Sequence, residues 1–302
     1  MPTVDVHQHF WPAPFVAELA RRRRPPRLSG STLVLEEGAY EVDLDAHDAE
    51  RRLALLAARI DRLQERERRL LQTAAVIGKR FPEAILARIA GLPEAEKDEL
   101  VGLWQDCVLE LVGGSHGRFL ALAPEHPAPG FVGSIVSASA MRNVESLSSV
   151  LGELDASGGF LFVHPSAAGV TSGAPAWWPA VLDYTAQMQA AYLTWLSYAQ
   201  RLWPEVNVVF AILAGGGPFQ LERLASRGVA VRSGLHGNVF FETASYGRRA
   251  IELCIETFGV HQLVYGSDVP VIESAPTLSA IRGFGDSVVK LITADNPSRL
   301  LS

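Results

Sequence analysis

A chain of 302 residues that is 48% apolar can build a sizeable core, so global disorder is excluded. The formal net charge of −6 gives no reason to expect a nucleic-acid surface. The two cysteines, Cys107 and Cys254, are too few for a disulfide framework.

The single basic run, Arg21–Arg24, is closed by Pro25 and Pro26 and reads as a solvated loop. No basic region followed by an apolar stretch marks a signal peptide, and no window approaches the roughly 18 apolar residues of a membrane span. These features predict a soluble cytoplasmic protein with no nucleic-acid or membrane partner, open to homo-oligomerisation.

In chain order, short apolar runs alternate with longer helical patterns. Strands are expected at Thr3–Val6 running into His7, around Thr73–Ile77, at Arg118–Ala123 and at Phe131–Val136. Four more are expected at Phe160–Val163, Asn207–Leu213, Asn238–Glu242 and Gln262–Tyr265. Several of these runs are continuously apolar, the pattern of strands buried on both faces. Between them, Ala46–Leu71, Ala95–Leu111, Asn143–Leu154, Thr185–Leu202 and Arg248–Phe258 carry helical periodicity. Eight such repeats, with no Gly/Ser linker between them, predict α/β architecture in one domain spanning residues 1–302. The expected form is a (β/α)8 TIM barrel. The second strand is short and abuts a helix-like run.

In a barrel the chemistry gathers at the C-terminal strand ends. The first strand carries VDVHQHFWP, and strand alternation puts Asp5, His7 and His9 on one face. The fifth strand ends in FVHP and the eighth in YGSD, which adds His164 and Asp268. Three imidazoles and a carboxylate suit one divalent metal ion, with zinc expected first and manganese or iron as alternatives. A lone strand-end histidine is more often structural; it is the joint occurrence at strand ends one, five and eight that points to a metal. Asp5 lies too far down its strand to ligate and reads as support.

These motifs, together with VYGSDVP and the closing ADNPSRLL, resemble the amidohydrolase superfamily. More narrowly they resemble the amidohydrolase-related branch that includes aminocarboxymuconate semialdehyde decarboxylase. The resemblance covers Pro2–Tyr40 and Glu99–Leu301, and it implies one divalent metal held by His7, His9, His164 and Asp268.

Two departures stand out. Where the branch has a histidine after strand six that acts on water, this chain reads FAILAGGGPF, with Ile212 at that place. The bridging lysine of binuclear members is also missing, since Lys79, Lys97 and Lys290 all lie away from strand four. Residues 59–92 resemble instead the helical region behind the ATPase domain of large regulatory ATPases. They carry no phosphate-binding GxxxxGK[ST] motif, so no nucleotide function is assigned to this atypical segment.

Further candidates surround the strand ends. Phe10, Trp11 and Trp178 are candidates to line an aromatic pocket, as Ile212, Glu242 and Tyr246 are to touch substrate, although packing roles compete for each. His47, His116, His126 and His236 sit in charged or Gly/Pro-rich stretches and read as surface residues.

The expected function is a mononuclear metal-dependent hydrolase of the amidohydrolase superfamily. Its substrate would be a small cyclic ester, lactone or amide, with Asp268 as both ligand and base. The alternatives are a non-oxidative decarboxylase (a lyase) of an aromatic or enoic acid, favoured by the missing histidine, and a catalytically degenerate barrel used for binding.

Overall fold

In the computed structural model, the described residues are 4–9, 11–34, 39–48, 51, 76–77, 94–166, 173–175, 177–229, 237–269 and 271–301. Six parallel strands form one curved sheet. They are β6 (Ala123–Pro124), β7 (Gly133–Ser137), β8 (Phe160–His164), β9 (Asn207–Phe210), β10 (Val239–Glu242) and β11 (Leu263–Val264). Just before β6, β5 (Leu120–Ala121) pairs in parallel with β4 (Val76–Ile77). At the far edge, extended residues 4–9 lie beside β11 and the loop after it: Val6 N–H donates to Tyr265 O at 2.9 Å, and Gln8 bridges Val269 in parallel.

Counting β5 and β6 as one interrupted strand, the strands run in barrel order: first, eighth, seventh and so on back to the second. The fold is a (β/α)8 barrel. Val76–Ile77 meets the second-strand expectation; Thr73–Ala75 and the rest of 59–92 lie outside the described residues, as does most of the helix expected over Ala46–Leu71.

Side-chain alternation sorts the strands into an inner and an outer face. Phe162 points inward, with its ring 5.3 Å from that of His7. Phe210 and Phe241 point outward, where they pack with Tyr192 and Phe258 of the helices Tyr184–Thr194 and Arg248–Phe258. The helix Arg248–Phe258 buries Ile251, Cys254 and Phe258, one stripe at helical spacing, and its bounds are those expected from the sequence. Burial pushes the Cys254 thiol up to about 12, which makes it an inert core residue. The helix Ser148–Ser157 stops at Gly158, whose φ of +70° supplies the left-handed cap.

At the foot of β7 there is no room for a side chain. A Cβ on Gly133 would stand 2.2 Å from the Phe160 carbonyl oxygen, and that oxygen belongs to backbone that cannot step aside. Gly133→Ala is therefore expected to cost about 3 kcal/mol, read as a lowered urea midpoint at unchanged slope.

Not expected from the sequence were the helices Ala13–Arg21, Gly217–Ala225 and Ala275–Arg282 and a small antiparallel sheet of β1 (Arg27–Ser29), β2 (Thr32–Val34) and β3 (Ala39–Glu41). Its register, Arg27↔Val34 through Ser29↔Thr32, leaves Gly30 and Ser31 as a two-residue turn with Gly30 at φ +64°. Leu28 and Leu33 face each other across it and join Trp11, Phe15, Leu19 and Trp104 in a second, smaller core. The basic run before it stays at the surface, with Arg21 on Glu18 and Arg22 on the Pro26 carbonyl.

Candidate metal centre

The first strand delivers its two histidines together because its backbone is held in extended form. Asp268 N–H donates to His7 O at 2.8 Å, and His9 N–H donates to Val269 O at 2.7 Å. Neighbouring side chains therefore alternate, and Asp5, His7 and His9 share the inner face. His164 is the last residue of β8 and follows Phe162 on that same face.

The three rings converge. Their centroids stand 4.9 Å apart for His7 and His9, 5.0 Å for His7 and His164, and 6.2 Å for His9 and His164. One ring nitrogen from each lies within 4.8 Å of the others. The carboxylate completes the group: Asp268 Oδ1 is 2.6 Å from His9 Nε2 and 3.4 Å from His7 Nε2. All four side chains are buried, Asp268 the least at 9% residue exposure. Its φ of +53° is a left-handed conformation that Asp and Asn tolerate, and it turns the carboxylate back over the strand ends.

The outer nitrogens are anchored. His7 Nδ1 lies 3.2 Å from Glu242 Oε2, and His164 Nδ1 lies 2.9 Å from the Pro165 carbonyl oxygen. A carbonyl only accepts, so His164 Nδ1 carries the hydrogen and Nε2 keeps its lone pair; Glu242 sets the same tautomer on His7. Among the described residues, His7 Nε2 is a buried nitrogen with no hydrogen-bond partner, aimed at Asp268. A buried lone pair facing a carboxylate is unfavourable unless a cation lies between them, so these residues fit a metal ion. Burial works against the charged His7 imidazole, but the charges of Asp268, Glu242 and Asp5 outweigh it, and the net pull on its pKa is upward.

Glu242 closes β10, is 0% exposed, and has no open face toward a substrate. Besides His7, its carboxylate accepts from the backbone N–H groups of Ile212, at 3.1 Å, and Ala244. It therefore reaches the site through His7. Gly266 makes room for it, since a Cβ there would fall 2.1 Å from Glu242 Oε1.

The Ile212 amide it holds opens an unusual turn. Ile212, Leu213 and Ala214 have φ of 46°, 49° and 53°, followed by Gly215 and Gly216 at 65° and 87°. Each left-handed non-glycine residue costs about 1–2 kcal/mol, so three in succession must be held by their surroundings. Ile212 itself is 9% exposed and packs with the main core.

Asp5 supports backbone rather than imidazoles. Its carboxylate accepts from His7 N at 3.1 Å, Ser267 N at 2.9 Å and Gln8 Nε2 at 2.8 Å, tying the first strand to the loop after β11. Desolvation by burial dominates these bonds and raises its pKa to about 6.

The other candidates have these neighbours. Trp11 is 5% exposed and committed to the second core, edge-on to Phe15 and 5.0 Å from the His47 ring. Tyr246 is half-buried and packs against the main core; burial and then the Cys254 thiol raise its pKa. Trp178 stands 5.9 Å from Trp177, which is 55% exposed, on the segment after β8. Phe10 and His236 lie outside the described residues, whereas His116 and His126 are on the surface and His47 is half-buried. A cavity of about 810 Å³ lined by Phe131, Gly133, Leu154, Gly158 and Leu301 lies at the N-terminal ends of β7 and β8, opposite the histidines.

With this geometry in hand, the comparisons with known proteins are consistent with one another. The amidohydrolase family model matches residues 4–302. No curated protein sequence matches the chain. Solved structures share its fold, among them the three that follow. The first is the 5-carboxyvanillate decarboxylase of Novosphingobium aromaticivorans, complexed with manganese and 4-hydroxy-3-methoxy-5-nitrobenzoic acid. It is 14% identical, with 99% of this chain and 96% of that one covered and a TM-score of 0.67. A 2,6-dihydroxybenzoate decarboxylase complexed with 2,6-dihydroxybenzoate is 13% identical over 100% of this chain and 99% of that one, with a TM-score of 0.65. The 4-oxalomesaconate hydratase of Rhodopseudomonas palustris is 13% identical over 99% and 95%, with a TM-score of 0.64.

Proposed function

Because the chain belongs to the amidohydrolase family, we propose that it is a metal-dependent decarboxylase of a small aromatic or enoic carboxylic acid. One divalent ion would be held by His7, His9, His164 and Asp268. The observation that carries this reading is Ile212, an apolar side chain where the branch's water-activating histidine would fall, with the ligand set otherwise complete. Decarboxylation needs no activated water. Two of the structural neighbours are decarboxylases of hydroxylated benzoic acids, which supports the same reading. The hydrolase reading stands second, because with Ile212 in that place it leaves the proton of the attacking water to Asp268 alone.

Bound at these side chains, a divalent ion would supply Lewis-acid chemistry, drawing negative charge from the substrate's oxygens. Everything else falls to the chain. Glu242 and the Pro165 carbonyl hold His7 and His164 in the tautomer that turns Nε2 inward. The buried aromatic floor at Phe162 keeps water from below. When the bond between the ring carbon and the carboxylate breaks, its electron pair stays on carbon and carbon dioxide leaves. Carbon then takes a proton that comes from solvent, and Asp268 is the group placed to pick it up and pass it on, since its side chain is the most open of the four.

Three imidazoles and one carboxylate suit zinc, the ion expected first, and also manganese, which the carboxyvanillate decarboxylase holds. We further propose a single functional unit across the chain, a small molecule as its partner, a cytoplasmic setting and self-association. Among the described residues no helix is long and apolar enough to cross a membrane.

The test is direct. Metal-loaded protein is offered a panel of hydroxybenzoic acids and a panel of small lactones, with released carbon dioxide and ring opening measured separately. Carbon dioxide from the acids supports the proposal; lactone opening with no carbon dioxide would replace it with the hydrolase reading. Stripping the metal with a chelator is expected to abolish turnover, and adding back zinc or manganese to restore it.

Ile212→Ala is expected to keep metal stoichiometry at the wild-type level and to change KM more than kcat. Metal analysis beside steady-state kinetics on both proteins checks this.

A further inference from the structure

Three serines stand beside His164 that neither the metal centre nor its supporting bonds use. Ser137 closes β7 and is paired in register with His164, so it shares the inner face of the barrel. Its Oγ is 2.9 Å from Ser139 Oγ, which is in turn 2.6 Å from Ser166 Oγ. Backbone donors fix the two ends of this chain: Ala140 N–H to Ser137 Oγ at 3.2 Å, and Ser139 N–H to Ser166 Oγ at 3.3 Å. Gln187, on the helix Tyr184–Thr194, clamps Ser166 from behind, accepting from its N–H at 2.6 Å and donating to its carbonyl at 3.2 Å. Ser166 is buried, Ser137 is half-buried and Ser139, the middle member of the row, opens to solvent; the two ends flank His164, Ser137 across the strand pair and Ser166 two residues along the chain.

Counting hydrogens shows what the row can hold. Three hydroxyls carry three hydrogens, and the two oxygen–oxygen contacts use two of them. Whichever way the chain is directed, one O–H remains without an acceptor among the described residues. The row contains no charged side chain. It can offer one good bond to a neutral oxygen, but nothing in it can balance a second carboxylate.

We propose that Ser137, Ser139 and Ser166 form a subsite that receives an uncharged oxygen substituent of the substrate, a ring hydroxyl or ether, while the reacting carboxylate lies toward the histidines. The kind of ligand rests on the decarboxylase reading; the subsite rests on the hydroxyl row.

The test measures binding apart from turnover. The dissociation constants of benzoate, 3-hydroxybenzoate and 4-hydroxybenzoate are measured by calorimetry on metal-loaded protein. One hydroxylated acid is expected to bind about 5- to 10-fold more tightly than benzoate, the worth of one neutral hydrogen bond. In Ser139→Ala and in Ser166→Ala that ratio is expected to fall to within about twofold of one. Ser139 is exposed, so its variant folds even if Ser166→Ala does not. A wild-type protein with no preference, or a ratio that survives both substitutions, overturns the subsite. A preference that disappears as expected, in a protein that releases no carbon dioxide from any acid, upholds the subsite and overturns the decarboxylase reading instead. Failure to bind any of the three acids overturns both.

Discussion

Asp268→Asn is expected to lower turnover by about three orders of magnitude per bound metal, within the range that general acid–base catalysis contributes. The substitution isolates the proton-transferring group because asparagine tolerates the left-handed backbone at φ +53° and keeps the side-chain shape. It also keeps one oxygen to face His9, so metal affinity falls by less than the rate does. The measurement pairs metal stoichiometry with turnover on the same sample. A variant that keeps its metal and its full rate would remove Asp268 as the proton donor. A rate that falls only in step with metal content would leave it as a ligand and nothing more.

Glu242→Gln is expected to weaken metal binding by about 10- to 100-fold, the usual effect of removing a histidine's outer partner. Three donors converge on this carboxylate: the His7 ring, the Ile212 amide and the Ala244 amide. A side-chain amide can accept at only one of its two ends, so it turns an NH2 group against at least one of these donors. His7 then loses its fixed tautomer, and the left-handed turn from Ile212 loses its anchor. The expected pattern is weaker metal binding in competition with a chelator, together with a lower unfolding midpoint for the stripped protein. If Glu242 met the substrate directly, the variant would instead raise KM at unchanged metal affinity, and the assignment would fail.

Much of this centre is legible in the chain because strand geometry is local. An HxH on an extended segment puts both rings on one face whatever surrounds it, and a continuously apolar strand ending in histidine presents that histidine at a barrel mouth. The eight-strand rhythm and the helix Arg248–Phe258 follow from the same periodicities, 2 and 3.6. The antiparallel sheet at Arg27–Glu41 escaped because its strands are three residues long, too short to show alternation; its one signal was the Gly30–Ser31 turn.

What only the tertiary structure decided is who stands opposite whom. The parity of Val239–Glu242 turns Glu242 inward, but parity cannot say that it meets His7, 235 positions away, instead of a substrate. Trp11 reads as a pocket aromatic from its place beside the HxH, but it is buried in the second core, where Phe15, Leu28 and Leu33 supply the apolar surface it packs on. The left-handed run at Ile212–Gly216 was invisible for the same reason. Local preference in Ile212, Leu213 and Ala214 opposes that conformation, and only a buried carboxylate from another strand, together with close packing of Gly215 against the Thr185 backbone, makes it the lowest-energy arrangement. Sequence periodicity specifies which side chains share a face; long-range burial and hydrogen bonding decide which partner each of them finds there.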